Sequence, residues 1–166
     1  MSNPSEEIVQ IVDQENQEIG AVSRKLMREQ RLIHRACYIL VFNPAGELFI
    51  QKRTLSKDIY PGYWDVAAGG VVLDRESYEE SAERELAEEL GVCAVKLEFV
   101  LDQYYEDENN RVWGRVFRCI YAGPFVLQAE EVESGQFLQP TAALKLAERE
   151  PFTPDGLVLL RKILNM

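Results

Sequence analysis

The chain has 166 residues, enough for one domain with a real hydrophobic core. Lys plus Arg number 18 against 28 Asp plus Glu, a formal net charge of −10. That balance excludes a non-specific binder of nucleic acid or anionic membrane, and it admits a phosphorylated substrate only where a cation mediates the contact.

The opening MSNPSEEIVQ lacks the basic and apolar regions of a signal peptide. No apolar run approaches membrane-spanning length. Ile8 to Val12 reads as a short strand, Asp13 to Glu18 as a turn and Ile19 to Val22 as a returning strand. Ser23 is placed to cap a short helix to about Arg31. Ala36 to Phe42 (ACYILVF) is a strong strand. Asn43-Pro44-Ala45-Gly46 turns the chain and Leu48 to Arg53 runs back, so the pair is expected to form a hairpin. TLSKDIYPGY is a loop, and Trp64 to Val72 is extended and rich in Gly and Ala.

Ser77 to Leu90 is the clearest helix. Ser77 with Glu80 makes a capping box, and Gly91 is a good terminator. Val95 to Tyr105 and Arg111 to Tyr121 read as strands, and Gln136 to Leu138 as a short one. Thr141 to Glu148 and Pro154 to Leu164 are helices, the second capped by Thr153. The expected layout is α+β: a mixed sheet covered by helices in a single domain over 1–166, with a core at about 33–164 and an N-terminal hairpin and short helix at 8–31. Cys37, Cys93 and Cys119 form no C-x-x-C pair, which predicts reduced core thiols in the cytoplasm.

The segment GGVVLDRESYEESAERELAEELGV collects carboxylates at Glu76, Glu79, Glu80, Glu83, Glu85, Glu88 and Glu89. Glu favours helices, and acids suit a helix N-terminus, so a solvated face is the plain reading. Spacing argues otherwise. Tyr78, Ala82, Leu86 and Leu90 form an apolar stripe, and acids of a solvated face belong opposite it. Glu85 and Glu89 project at its edge, as does Glu79. Glu85, Glu88 and Glu89 stand at i, i+3 and i+4, so their side chains are expected to converge. Converging carboxylates at the edge of a core require raised pKa values, an Arg or a hard divalent cation. Mg²⁺ suits them, because it takes oxygen ligands and shares its shell with substrate phosphates. A carboxylate not fully used as a ligand can accept a proton from an attacking water.

These residues resemble the Nudix box, G-x5-E-x7-R-E-U-x-E-E-x-G-U with U bulky and apolar. Gly70, Glu76, Arg84, Glu85, Leu86, Glu88, Glu89, Gly91 and Val92 fill it without departure. The resemblance implies a Nudix fold, a mixed sheet sandwiched between helices (α/β/α), and Mg²⁺- or Mn²⁺-dependent hydrolysis of a nucleoside diphosphate-linked or related pyrophosphate. By position it implies Glu85, Glu88 and Glu89 as the metal and base set, with the Gly69 carbonyl as a further ligand. It makes Arg84 the residue that orients the carboxylates by ion pairing, with Gly70, Glu76 and Gly91 structural. Which Glu acts as base stays open; Glu130 and Glu131 are candidates for an assisting acid. A small-molecule substrate is implied, with no nucleic acid or membrane partner; homodimers are common among relatives.

HRACYILVFNPAGELFIQKRTLSKDIYPGYWD and FTPDGL also resemble isopentenyl-diphosphate isomerase, a Nudix relative. That likeness places Arg53 and Lys57 where diphosphate-binding cations stand. The isomerase needs a Cys-Gly-His-Pro turn, and this chain has Gly69-Gly70-Val71-Val72. It also needs a Glu-x-Glu pair, where this chain has Val112-Trp113-Gly114-Arg115-Val116. The expectation is therefore hydrolase chemistry on a shared scaffold, with a nucleotide-binding module without turnover, or the isomerase, as the alternatives. His34, the single His, is expected to be a hydrogen-bonded residue at a strand start. Tyr104, Tyr105 and Trp113 are candidates to stack on a base, with packing the commoner role for strand aromatics.

Overall fold

The computed structural model describes residues 3–166. The reading of the N-terminus as leaderless, and of the domain as starting at residue 1, includes Met1 and Ser2, which lie outside the described residues. β1 (Ile8–Val12) pairs antiparallel with β2 (Glu18–Ser23), and α1 (Arg24–Gln30) follows. Ser23 caps α1, its side-chain oxygen accepting from the Leu26 amide at 3.2 Å. Ile11 pairs with His34, which ties this N-terminal unit to the main sheet.

β3 (His34–Phe42) is the spine. Its sequence is almost continuously apolar, which suits a strand buried on both faces. Tyr38 and Leu40 face one side, with Ile50, Trp64, Val116, Leu159 and Leu160. Cys37, Ile39 and Val41 face the other, with Tyr78, Ala82, Leu86, Leu90 and Phe117. The first side is covered by α3 (Pro140–Leu146) and α4 (Pro154–Leu164), the second by α2 (Tyr78–Leu90). This is the mixed sheet between helices that the sequence predicts.

The hairpin expected after β3 is barely one. β4 (Leu48–Arg53) meets β3 only at Phe42↔Leu48. β3 instead runs parallel to β8 (Arg111–Ile120), from His34↔Val112 to Phe42↔Ile120, and β8 pairs antiparallel with β7 (Glu98–Glu106). β4 pairs with β9, which spans Val132–Leu138 rather than the three residues expected. The stretch expected as one extended segment from Trp64 to Val72 divides, because it serves two neighbours. β5 (Trp64–Asp65) pairs with β4, and β6 (Ala68–Val71) pairs with β3.

Two further expectations are corrected. Thr153 stands at the N-cap position of α4 but makes no capping hydrogen bond; its hydroxyl donates to Asp65 Oδ1 at 3.3 Å. A buried carboxylate is the more demanding partner. Cys37 and Cys119 are buried thiols, but Cys93 is exposed beyond the end of α2.

Candidate active site

The apolar stripe of α2 is buried as its spacing requires, with Tyr78, Ala82, Leu86 and Leu90 all in the core. Each fully buried Leu there contributes about 2 kcal/mol. The capping box forms in full, and Gly91 ends the helix in the left-handed region at φ 66°. The helix is thereby fixed in rotation over β6, and its carboxylates come down on Gly69 and Gly70.

Those glycines make the approach feasible. A Cβ at Gly70 would lie 2.8 Å from Glu85 Oε1, so only a bare backbone lets this carboxylate rest on the strand. Gly69 has φ 141°, and a Cβ there would fall 2.0 Å from the Cys37 carbonyl oxygen. Its N–H donates to Glu89 Oε1 at 2.9 Å.

Arg84 organises the outer part. It forks onto Glu76, donating from Nε at 2.6 Å and from Nη2 at 3.0 Å, while Nη1 donates to Glu85 at 2.9 Å and to Glu88 at 3.2 Å. Glu76 also accepts from the Leu73 amide at 3.1 Å, which ties the loop to the helix. Burial pushes the Glu76 carboxyl up, but Arg84 and the Leu73 N–H hold it below its ordinary value.

The expected convergence is divided. Arg84 gathers Glu85 and Glu88, whereas Glu89 turns inward to Gly69. Among the described residues, no group of three His, Cys, Asp or Glu side chains stands ready as a metal cage. Glu89 is 5% exposed, and burial, reinforced by the neighbouring Glu85, pushes its carboxyl up to about 8. Burial also raises Glu85, against the pull of Arg84. Glu85 has Arg84 as its counter-charge, whereas the hydrogen bond to the Glu89 carboxylate comes from a neutral backbone amide. An all-oxygen donor set of this kind fits a hard divalent cation.

Gly69 and Gly70 also line a cleft, together with Arg53, Lys57, Tyr60 and Asp155. Arg53 and Lys57 are thus brought to the site, but neither is free. Arg53 donates to the Ile59 carbonyl from Nη2 at 2.9 Å and lies 3.5 Å from Asp65. Lys57 is hydrogen-bonded to Glu131. Of the two candidate assisting acids, Glu131 is therefore tied to the cleft through Lys57. Glu130 is exposed, and its carbonyl accepts from Thr54 at 2.9 Å.

His34 is buried, with Nδ1 3.2 Å from the Leu32 carbonyl oxygen, as its position at a strand start suggests. Tyr104 and Trp113 pack on each other, ring centroids 5.5 Å apart, and Trp113 Nε1 donates to the Gln14 carbonyl at 3.1 Å. Tyr105 donates to Asp107 at 2.8 Å. These aromatics do not line the cleft.

The cleft also holds residues to which the sequence reading gave no role. Tyr38 donates to Asp155 at 2.7 Å, and burial pushes both Asp155 and Asp65 up, Asp65 to about 6. The three come from β3, β5 and the first turn of α4. FTPDGL stands out in the sequence, but nothing local shows that its Asp lines the same cleft as Gly69 and Gly70.

The fold and this loop–helix–loop over a glycine pair define a Nudix domain, and the NUDIX domain family model matches residues 32–158. An uncharacterized Nudix hydrolase of Pseudomonas aeruginosa is 44% identical over 159 residues, covering 96% of this chain and 94% of that protein. The uncharacterized Nudix hydrolase YfcD of Escherichia coli K12 is 46% identical over 156 residues, covering 94% and 86%. The chain belongs to the Nudix hydrolase family. Such hydrolases act on pyrophosphates and generally use divalent cations.

Among solved structures, DR0079 of Deinococcus radiodurans superposes with a TM-score of 0.82 at 25% identity, over 94% of this chain and 98% of that one. The NUDIX domain of Shewanella oneidensis NrtR, solved with ADP ribose, gives 0.60 at 16% identity, over 80% and 86%. The second likeness is one of fold. Among the described residues, no helix is long and apolar enough to cross a membrane.

Proposed function

We propose that this chain is a Mg²⁺- or Mn²⁺-dependent pyrophosphohydrolase that cleaves the diphosphate linkage of a nucleoside diphosphate-linked or related small molecule. One observation carries the reading. Glu89 is buried on a glycine-lined strand with the Gly69 amide as its hydrogen-bond donor, and the half-buried Glu85 rests on Gly70 beside it in the motif with Arg84 as its counter-charge. Glu85, Glu88 and Glu89, with the Gly69 carbonyl, would hold the cation. When bound, it neutralises diphosphate charge and lowers the pKa of a water.

The protein's own groups supply the rest. Arg84 holds Glu85 and Glu88 against Glu76, so the carboxylates keep a fixed orientation. Arg53 and Lys57 line the cleft and would bind the substrate phosphates in exchange for Asp65 and Glu131. One carboxylate of the set, not fully used as a ligand, would take the proton from the attacking water, and substitution at Glu85, Glu88 and Glu89 in turn decides which. We read the chain as one domain acting in the cytoplasm.

The likeness to isopentenyl-diphosphate isomerase is read as a shared scaffold. Gly69 aligns with the Cys that the isomerase needs, and a side chain there would collide with the Cys37 carbonyl. A nucleotide-binding module without turnover is the remaining alternative. The test is a hydrolysis screen with Mg²⁺ across nucleotide sugars, dinucleotides, nucleoside triphosphates and prenyl diphosphates, with Glu89→Gln as control. Tight nucleotide binding without turnover under Mg²⁺ or Mn²⁺ would favour the module. Deuterium exchange into isopentenyl diphosphate would reveal the isomerase.

A further inference from the structure

Arg24 and Arg28 lie on α1, four residues apart and so on one face of the helix, before the segment that the family model matches. Their side chains are only 14% and 18% exposed. Both close on a single carboxylate. Arg24 Nε and Arg28 Nε donate to the same Oδ2 of Asp58, at 2.9 and 3.2 Å, and Arg24 Nη2 reaches Oδ1 at 3.4 Å. Asp58 sits in the loop between β4 and β5, with its side chain 37% exposed. Glu7 stands 3.5 Å from Arg24, and Arg28 Nη1 donates to Asn110 at 3.3 Å. Arg28 Nη2 has no hydrogen-bond partner among the described residues.

Both arginines line the same cleft as Gly69, Gly70, Arg53 and Lys57. The two guanidinium groups share Asp58, and Glu7 stands on Arg24 alone, so Arg28 is the less neutralised of the pair and keeps donors to spare. Burial lowers the Arg28 pKa against the pull of Asp58, and repulsion from Arg24 and Arg53 adds to this. A guanidinium fork matches phosphate oxygens, and a phosphate offers more acceptors than one carboxylate.

We propose that Arg24 and Arg28 form an anion subsite that takes a terminal phosphate group of the substrate, and that Asp58 holds the pair in its absence. The substrate class is then a compound that bears a phosphate group in addition to the anhydride cleaved at the box. This rests on the box being the hydrolytic site, whereas anion binding can be measured without turnover.

The test titrates inorganic phosphate into the full chain in EDTA and reads binding from ³¹P NMR line width. Arg24→Gln and Arg28→Gln weaken binding about tenfold or more, since each removes charged hydrogen bonds. Asp58→Asn strengthens it severalfold, an increase that misfolding cannot imitate. Lys25→Gln, which removes the same charge from the outer face of α1, leaves it unchanged. If Asp58→Asn binds phosphate no better than wild type, Asp58 is only a latch between α1 and the loop, and the proposal falls. A second arm compares kcat/KM for each hydrolysed compound with and without a terminal phosphate. Arg28→Gln should raise KM for the phosphorylated member alone; equal effects on both members overturn the substrate assignment. No turnover with phosphate binding intact defeats the hydrolase reading only, and turnover without phosphate binding defeats the subsite only.

Discussion

The backbone N–H of Gly69 donates to the buried carboxylate of Glu89 across 2.9 Å, joining the glycine strand to the fourth turn-face of the acidic helix. This bond places the most deeply buried acid of the box against the bare backbone of the glycine strand.

Replacing that carboxylate should therefore separate catalysis from folding. Glu89→Gln keeps an acceptor for Gly69 and removes a charge that burial disfavours. Hydrolysis with Mg²⁺ should fall about 100-fold or more, while the urea midpoint is unchanged or higher. An unchanged rate would sink the assigned mechanism. Adding Mg²⁺ should raise the melting temperature of wild type through ligand linkage, and much less that of the variant.

Gly69 and Gly70 should respond differently to the same substitution. At Gly69, φ of 141° and the approach of the Cys37 carbonyl oppose any side chain, and the obstacle is backbone that cannot move aside. Gly69→Ala should cost about 3 kcal/mol or more in urea denaturation. At Gly70 the obstacle is the end of the Glu85 side chain, which can swing away. Gly70→Ala should lose less stability and more kcat.

Arg84 bridges Glu76, Glu85 and Glu88 with one planar group. Arg84→Gln should reduce metal affinity and kcat about 10- to 100-fold, the range for residues that orient ligands. Arg84→Lys should recover little, because a point charge cannot serve all three carboxylates. Metal titration followed by intrinsic fluorescence would check the affinity, and recovery to wild-type levels by Lys would contradict the bridging role.

His34 provides a pH signature of the fold. Burial, aided by Arg28, lowers its pKa from 6.5 to about 3. Between those values the unfolded chain binds a proton that the folded chain refuses. The stability that neutral His34 permits is thus fully present above pH 6.5 and is lost as the pH falls toward 3, by about 1.4 kcal/mol per pH unit. Asp65, raised by burial to about 6, acts in the opposite sense over part of this window. The comparison with His34→Gln isolates the histidine: urea midpoints between pH 7 and 5 should fall less steeply in the variant. Parallel slopes would refute the assignment.

The acidic helix was legible because its information is local. Ser77, Glu80 and Gly91 set its ends, and the stripe from Tyr78 to Leu90 set its buried face. Helix geometry alone then put Glu85 and Glu89 at the core edge and Arg84 within reach of Glu88. β3 was legible as a strand for a related reason, since its run of apolar residues needs cover on both faces. Its neighbours were not legible. A turn sequence after Phe42 suggested a hairpin, yet β3 runs beside β8 and parallel to it, a register set by how the whole sheet packs.

Sequence by itself determined the chemical type of this protein: a spaced set of carboxylates with an arginine, on a capped amphipathic helix that follows a glycine pair. Tertiary structure decided which acid is buried and what the site contains besides the box. Glu89 rather than Glu88 turns to Gly69 because the helix is pinned by its apolar stripe. Lys57 meets Glu131, and Arg24 and Arg28 meet Asp58, only because distant segments fold over one cleft. Helical spacing fixes angles within a few residues, whereas contacts between remote segments follow from the packing of the entire core.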